Sequence, residues 1–186
     1  MSKTIFINLV GGPGCGKTTT AVGLFHELKK SGMKVEFLRE PIQKHIYQED
    51  RLITMKQIPL FGEDMLQIYS LDGKVDVVVR DTSLLNNIVY DIDDNSLFHA
   101  LVIQEHKKLN NIDFFINRGN IPFQEYGRIH DYAQSIELDK KIKDVYNFAN
   151  VPLFEVPAET AVEDILDYIS RGGQEDDDSG ESADNT

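Results

Sequence analysis

The 186-residue sequence has a single cysteine, Cys15, and therefore cannot form an intramolecular disulfide. It also lacks a long apolar run, since the stretch 1–10 is too short to span a membrane and lacks the order of a signal peptide. Both absences favour a soluble protein of a reducing compartment, and we expect a cytoplasmic location with no membrane partner. With 41% hydrophobic and 27% charged residues, the composition is that of an ordinary globular domain.

Basic residues are also scarce. The chain has 19 lysines and arginines against 31 acidic residues, which gives a net charge of −12. Residues 172–186 contain six acidic residues and no basic one, which is half of that charge. This segment has no large apolar side chain, so we expect a disordered acidic tail after a folded domain at 1–171. The acidic balance argues against a surface that binds duplex nucleic acid.

Strand and helix patterns alternate along the chain. Apolar runs rich in β-branched residues predict five strands, at 4–10, 33–38, 75–79, 112–116 and 152–156. Helical spacing of apolar residues predicts helices at 18–31, 84–90, 96–109, 132–148 and 160–171. Between residues 42 and 71 the pattern is helical at both ends, and Pro59 predicts a break before a helix over 62–70. This alternation predicts an α/β fold whose ligand crevice lies at the carboxyl ends of parallel strands.

The most specific motif follows the first predicted strand. Residues 11–18, GGPGCGKT, match G-x-x-x-x-G-K-[ST] in full and lie between a strand and a helix, as the motif requires. Backbone N–H groups of such a loop bind phosphate oxygens, Lys17 reaches the β- and γ-phosphates, and the Thr18 hydroxyl can ligate Mg²⁺. The motif therefore predicts ATP and Mg²⁺ as ligands. The nucleotide-binding residues that we expect are Gly11, Gly12, Pro13, Gly14, Cys15, Gly16, Lys17, Thr18 and Thr19.

Carboxylates follow the second and third strands. Glu40 comes after the second strand and Asp81 after the third. In a sheet ordered 2-3-1-4-5 both strand ends lie beside the first strand, so we expect the two side chains to converge beyond Lys17. Asp81 is a candidate Mg²⁺ ligand together with Thr18, with helix capping as the alternative. If the bound ATP donates its γ-phosphoryl group to an acceptor, Glu40 is a candidate general base toward the hydroxyl of that acceptor. The alternative is a solvated surface glutamate.

Arginines are few, and two of the six lie in one segment after the fourth strand. Because a guanidinium makes bidentate contacts that a lysine cannot, Arg118 and Arg128 are candidate catalytic clamps on the γ-phosphate, with surface ion pairs as the alternative. Arg39 and Arg80 are candidates for binding an acceptor phosphate, and structural ion pairs are again the alternative.

The motifs taken in order resemble the P-loop nucleoside and nucleotide kinase superfamily. The Walker loop, Arg39-Glu40-Pro41 and Asp81-Thr82-Ser83 are similar to the motifs of thymidylate and deoxynucleoside kinases. The run 81–85 and the lid motif Phe123-Gln124-Glu125-Tyr126-Gly127-Arg128 resemble even more the small phage-type P-loop kinases or ATPases that are similar to the ribosylnicotinamide kinase domain. The resemblance covers about residues 3–170. It implies a three-layer P-loop NTPase fold and a five-stranded parallel sheet with helices on both faces. It also implies a kinase with a mobile lid at about 118–130, in which Glu40 contacts the acceptor.

Three hypotheses for the function stay open. The first is an ATP- and Mg²⁺-dependent phosphotransferase whose small-molecule acceptor is a nucleoside or a nucleoside monophosphate. The second is a kinase for a hydroxymethyl pyrimidine base within DNA, bound along a groove that contains Lys44, Arg51, Lys56, Lys107 and Lys108. The third is an NTP-binding switch ATPase whose acidic tail engages a protein partner. The oligomeric state is open as well, with a homodimer through the helix at 97–109 as one alternative.

Overall fold

The computed structural model describes residues 4–48, 56–119 and 131–172. Strands and helices alternate through these ranges, as the sequence pattern predicts. The strands are β1 Ile5–Val10, β2 Val35–Leu38, β3 Val77–Arg80, β4 Asn110–Asn117 and β5 Phe154–Pro157. The helices are α1 Lys17–Lys30, α2 Ile42–Tyr47, α3 Gln57–Leu71, α4 Asn86–Val89, α5 Ser96–Lys108, α6 Tyr132–Ala149 and α7 Ala161–Ser170.

The five strands form one parallel sheet in the order β2-β3-β1-β4-β5, which confirms the predicted topology. In this order β1 is central, with β3 on one side and β4 on the other. All five carboxyl ends therefore lie at one edge of the sheet. The loop that follows β1 is in the middle of that edge, next to the residues that follow β3.

Apolar side chains cover both faces of the sheet. Along β1 the side chains alternate, so Phe6 and Val10 pack on one face and Ile7 and Leu9 on the other. Helices α3, α4, α5 and α6 cover the first face, and α1 and α7 cover the second. The result is the three-layer arrangement that the sequence predicts. No helix within the described ranges combines the length and apolar character needed to cross a bilayer.

A row of polar side chains crosses the first face next to the candidate site. Asn8 of β1 is in register with Arg80 of β3 and with Asp113 of β4. Arg80 is fully buried, and its guanidinium donates to the Asp64 carboxylate at 2.5 Å and to Asn8 Oδ1 at 3.2 Å. Asp113 Oδ2 lies 3.0 Å from His106 Nε2. Of the two roles considered for Arg80 in the sequence analysis, an acceptor-phosphate contact and a structural ion pair, the structure shows the ion pair.

The predicted break at Pro59 is wrong. Helix α3 begins at Gln57 and runs to Leu71, with Pro59 in its first turn. A proline is tolerated there because backbone N–H groups of the first turn have no partner within the helix. The acidic tail predicted for 172–186 and the lid predicted for 118–130 lie outside the described residues, except for residues 118, 119 and 172.

The ion pair between Asp64 and Arg80 gives a stability prediction. Asp64→Ala leaves the Arg80 charge buried without its partner, so we expect the free energy of unfolding to fall by about 3–5 kcal/mol. Urea denaturation measures the loss. The matched control is Lys56→Ala, which removes an exposed pair with Asp93 and should cost about 1 kcal/mol or less. Equal losses of unfolding free energy in the two variants would contradict a buried structural ion pair between Asp64 and Arg80.

Candidate functional site

The loop between β1 and α1 has a left-handed φ at three glycines, Gly11, Gly14 and Gly16, and two of them are the fixed glycines of the motif. Gly16, just before α1, has a φ of 101°, in the left-handed region. Gly11 has a φ of 142°, and a side chain there would place its Cβ only 2.7 Å from Cys15 Sγ. Cys15 itself is fully buried beneath the loop. The spacing of glycines in the motif therefore follows from the shape of the loop.

Lys17 is the cation of this loop. Its Nζ donates to the carbonyl oxygens of Gly11 at 2.6 Å and Gly12 at 3.1 Å. These contacts hold the ammonium over the loop at the first residue of α1. A positive charge at a helix N-terminus that is framed by backbone N–H groups suits the phosphate chain of a nucleotide.

Asp81 joins the loop to the end of β2. Its Oδ2 accepts a hydrogen bond from the Thr18 hydroxyl at 3.2 Å, and its Oδ1 accepts one from the backbone N–H of Glu40 at 2.8 Å. The carboxylate is almost completely buried, with 2% of the residue exposed. The structure thus brings Thr18, Glu40 and Asp81 together.

A hydroxyl and a carboxylate are the hard oxygen donors that Mg²⁺ prefers. The described parts of the chain contain no group of three or more His, Cys, Asp or Glu side chains that could hold a metal. Mg²⁺ is usually bound by one or two carboxylates together with substrate phosphates and water, so the pair Thr18 and Asp81 fits this ion.

Glu40 has an unusual proton affinity. Burial raises its pKa from the ordinary value of 4.5 to about 7, the Lys17 charge lowers it, and the Asp81 and Asp64 carboxylates raise it. These effects place the Glu40 carboxyl among the charges of the loop, β3 and α3. A carboxyl group with a pKa near neutrality can exchange protons at physiological pH, as general acid–base catalysis requires.

Tyr90 also lies in this crevice, although no sequence motif marks it. It directly follows the short helix α4. Burial raises the pKa of its hydroxyl, and so do Glu40, Cys15 and Asp139, in that order of effect. These influences show that the phenol interacts with charged groups of the loop, of α6 and of the residues after β2.

Arg118 lies against the outer side of the loop. Its guanidinium donates to Pro13 O at 3.1 Å, to Ser135 Oγ at 2.6 Å and to Asp139 Oδ2 at 2.7 Å. The side chain is only 9% exposed. Its role as a phosphate clamp stays a prediction. Ser135 and Asp139 were not predicted from the sequence. Their spacing of four residues places both on the side of α6 that contacts the loop, and this spacing is the sequence signal that could have indicated them.

The remaining predicted residues are placed as follows. Thr19 is exposed on the first turn of α1, and Arg39 is exposed after β2. Arg128 and the aromatic residues of the predicted lid lie outside the described residues. The structure therefore brings the loop, Asp81 and Glu40 together, and the contribution of Arg128 stays a prediction.

Comparisons with known proteins agree with this geometry. A family model described as an AAA domain matches residues 6–164, most of the chain. Among solved structures, a deoxyadenosine kinase from M. mycoides with bound dATP is similar at 16% identity and a TM-score of 0.50. That alignment covers 89% of this chain and 99% of the kinase. At this identity the likeness shows the fold alone. A search of the curated proteins found no match.

The raised pKa of Glu40 makes stability depend on pH. The folded protein favours protonated Glu40, so this stabilisation is fully present below about pH 4.5 and is lost as the pH rises through about 7. We expect Glu40→Gln to gain stability over the wild type across this window, reaching about 1–3 kcal/mol above pH 7. Urea denaturation at about pH 5 and about pH 8 measures the gain.

Glu36→Gln is the matched control, because Glu36 lies on β2, four residues before Glu40, with half of its side chain exposed. We expect this control to show the same small effect at both pH values. A Glu40→Gln difference that does not change with pH would contradict the raised pKa.

Proposed function

The chain belongs to the AAA domain family, and from that premise we propose an ATP- and Mg²⁺-dependent phosphotransferase whose acceptor is a nucleoside or a nucleoside monophosphate. One observation carries the proposal. The Asp81 carboxylate binds Thr18 of the phosphate loop and the backbone of Glu40 at the same time. It thereby joins a phosphate-binding element to a half-buried carboxyl group whose pKa of about 7 suits proton transfer.

The phosphate loop supplies the donor half of the site. Loop N–H groups and Lys17 bind the phosphate chain of ATP and stabilise the charge on the transferring group. Thr18 and Asp81 are the residues that would hold Mg²⁺. When bound, this ion neutralises charge on the phosphate oxygens.

The ends of β2 and β3 supply the acceptor half. With a nucleoside as acceptor, the Glu40 carboxylate accepts the proton from the attacking hydroxyl as that oxygen forms its bond to the γ-phosphorus, whereas the ionised phosphate oxygen of a nucleoside monophosphate needs no base. The bond between the γ-phosphorus and the bridging oxygen of ADP breaks in the same transfer, so ADP and a phosphorylated acceptor result. We keep Arg128 as a clamp on the transferring group and assign no phosphate contact to Arg118, whose guanidinium binds Asp139.

The acceptor class rests on the fold and on the charges of the crevice. The fold shared with a deoxyadenosine kinase supports a nucleoside. Arg80, which would favour a phosphorylated acceptor, is fully buried and paired with Asp64. A hydroxymethyl pyrimidine in DNA uses the same transfer chemistry, and an ATPase switch would use water in place of an acceptor.

Acceptor-dependent release of ADP tests the proposal. Mg·ATP is incubated with deoxynucleosides, their monophosphates, ribosylnicotinamide and hydroxymethylated DNA in parallel. We expect one acceptor class to raise the rate well above hydrolysis, and Lys17→Ala and Asp81→Asn to lower it by about 100-fold or more. Lys34→Ala and Asp76→Asn are matched controls, because both residues are exposed at the opposite edge of the sheet.

The result separates the three hypotheses. Stimulation by DNA alone would move the acceptor from a small molecule to a base in DNA. Slow ADP formation that no acceptor accelerates would contradict a kinase and favour a switch ATPase.

The pH dependence of the transfer tests the role of Glu40. Since a general base must be ionised, we expect the rate to rise with pH and to level off above about 7. Glu40→Gln should lower the rate by about 100-fold to 10,000-fold and abolish this rise. A wild-type profile that is flat between about pH 5 and about pH 8 would contradict the role of base.

A further inference from the structure

Three side chains outside the sequence motif hold the outer arm of the phosphate loop, residues 12 and 13. Arg118 follows β4, and Ser135 and Asp139 lie on α6. Asp139 Oδ1 accepts a hydrogen bond from the Gly12 N–H at 2.5 Å. Pro13 O accepts hydrogen bonds from the Ser135 hydroxyl at 2.6 Å and from Arg118 Nη1 at 3.1 Å.

The three side chains are also bonded to one another. Arg118 Nη2 donates to Ser135 Oγ at 2.6 Å and to Asp139 Oδ2 at 2.7 Å. The Ser135 hydroxyl thus accepts from Arg118 and donates to Pro13 O, and each Asp139 oxygen has its own donor. These bonds leave the group little freedom to shift relative to the loop.

The loop approaches α6 too closely for any side chain at Gly12. A Cβ at this position would lie 2.4 Å from Ser135 O and 2.9 Å from Asp139 Oδ1. Ser135 is fully buried. The start of α6 is itself fixed, because Asp131 and Gln134 form a capping box there. The outer arm of the loop therefore packs against the capped N-terminal part of α6.

The charges of this group favour a geometric role over contact with phosphate. The positive charge of Arg118 is neutralised by Asp139, and only 9% of the Arg118 side chain is exposed. The guanidinium also lies 5.6 Å from the centre of the Tyr132 ring. Lys17 binds the inner side of the same loop through Gly11 O and Gly12 O.

We propose that Arg118, Ser135 and Asp139 are positioning residues that fix the outer arm of the phosphate loop and thereby preorganise the loop for the phosphate chain of ATP. This inference rests on the nucleotide binding contained in the proposed function. It gives Arg118 a positioning role in place of the clamp expected from the sequence. Preorganised donors bind a ligand more tightly because they need no ordering on binding.

The dissociation constant of Mg·ATP, measured by titration calorimetry, tests the inference. Removing a hydrogen bond to a charged group should weaken binding by about 10-fold to 100-fold in Asp139→Ala. Asp139→Asn retains an acceptor for Gly12 N–H but loses the charge opposite Arg118, so its loss should be smaller. Ser135→Ala removes one donor to Pro13 O and should weaken binding by about 3-fold to 10-fold.

Lys143→Ala is the matched control, because Lys143 lies on the same helix as Asp139 and its loss breaks an ion pair with Glu155 of β5 without touching the loop. It should leave the dissociation constant within about 2-fold of the wild type. Thermal unfolding of every variant is measured in parallel. A merely structural role would lower the unfolding temperature and leave ATP affinity of the folded protein unchanged.

Two results would overturn the inference. One is an Asp139→Ala protein that is folded and binds Mg·ATP as tightly as the Lys143→Ala control. If Asp139→Ala does not fold, wild-type affinity in both Asp139→Asn and Ser135→Ala would overturn it instead. Normal ATP binding by the wild type without transfer to any acceptor would contradict the proposed kinase function alone.

Discussion

The site depends on one carboxylate, that of Asp81, which accepts hydrogen bonds from two different elements at once. The Thr18 hydroxyl ties it to the phosphate loop, and the Glu40 N–H ties it to the end of β2. Because β3 lies between β1 and β2, a residue at its carboxyl end is the one that can reach both neighbours. The distance between the donor half and the acceptor half of the crevice is therefore set by the spacing of parallel strands.

The last residue of β3 and the residue that follows it have different roles. Arg80 points into the sheet face that α3, α4, α5 and α6 cover, and Asp64 neutralises its charge there. Asp81 points to the crevice instead. Burial and the carboxylates of Asp81 and Asp64 raise the pKa of Glu40, and the charges of Lys17 and Arg80 lower it. The raising effects are larger, so the pKa stays near 7. A proton-accepting group and a phosphate-binding group can thus lie side by side without forming a simple ion pair.

The fold and the phosphate loop could be predicted because their signals are local. Strand and helix patterns predicted the strands and helices, and the GGPGCGKT motif predicted the loop after β1. The sheet order that the structure confirms was the one expected of a P-loop NTPase fold. The break at Pro59 was predicted wrongly because a proline in a first helical turn and a proline between helices look alike in sequence. The spacing of Ser135 and Asp139 marks one side of α6 but does not show what that side contacts, since the bond from Gly12 to Asp139 joins residues 127 positions apart. The pKa of Glu40 likewise depends on packing, which no spacing rule encodes.

The central claim is that the crevice delivers a phosphoryl group to an organic acceptor and not to water, with the loop, Asp81 and Glu40 acting as one unit. The most direct measurement follows the label from ATP labelled at its γ-phosphate in the presence of a nucleoside acceptor. The account predicts that the label appears in an organic phosphate ester and that this product is lost in Asp81→Asn. Label recovered only as inorganic phosphate, at the same rate with and without any acceptor, would contradict it.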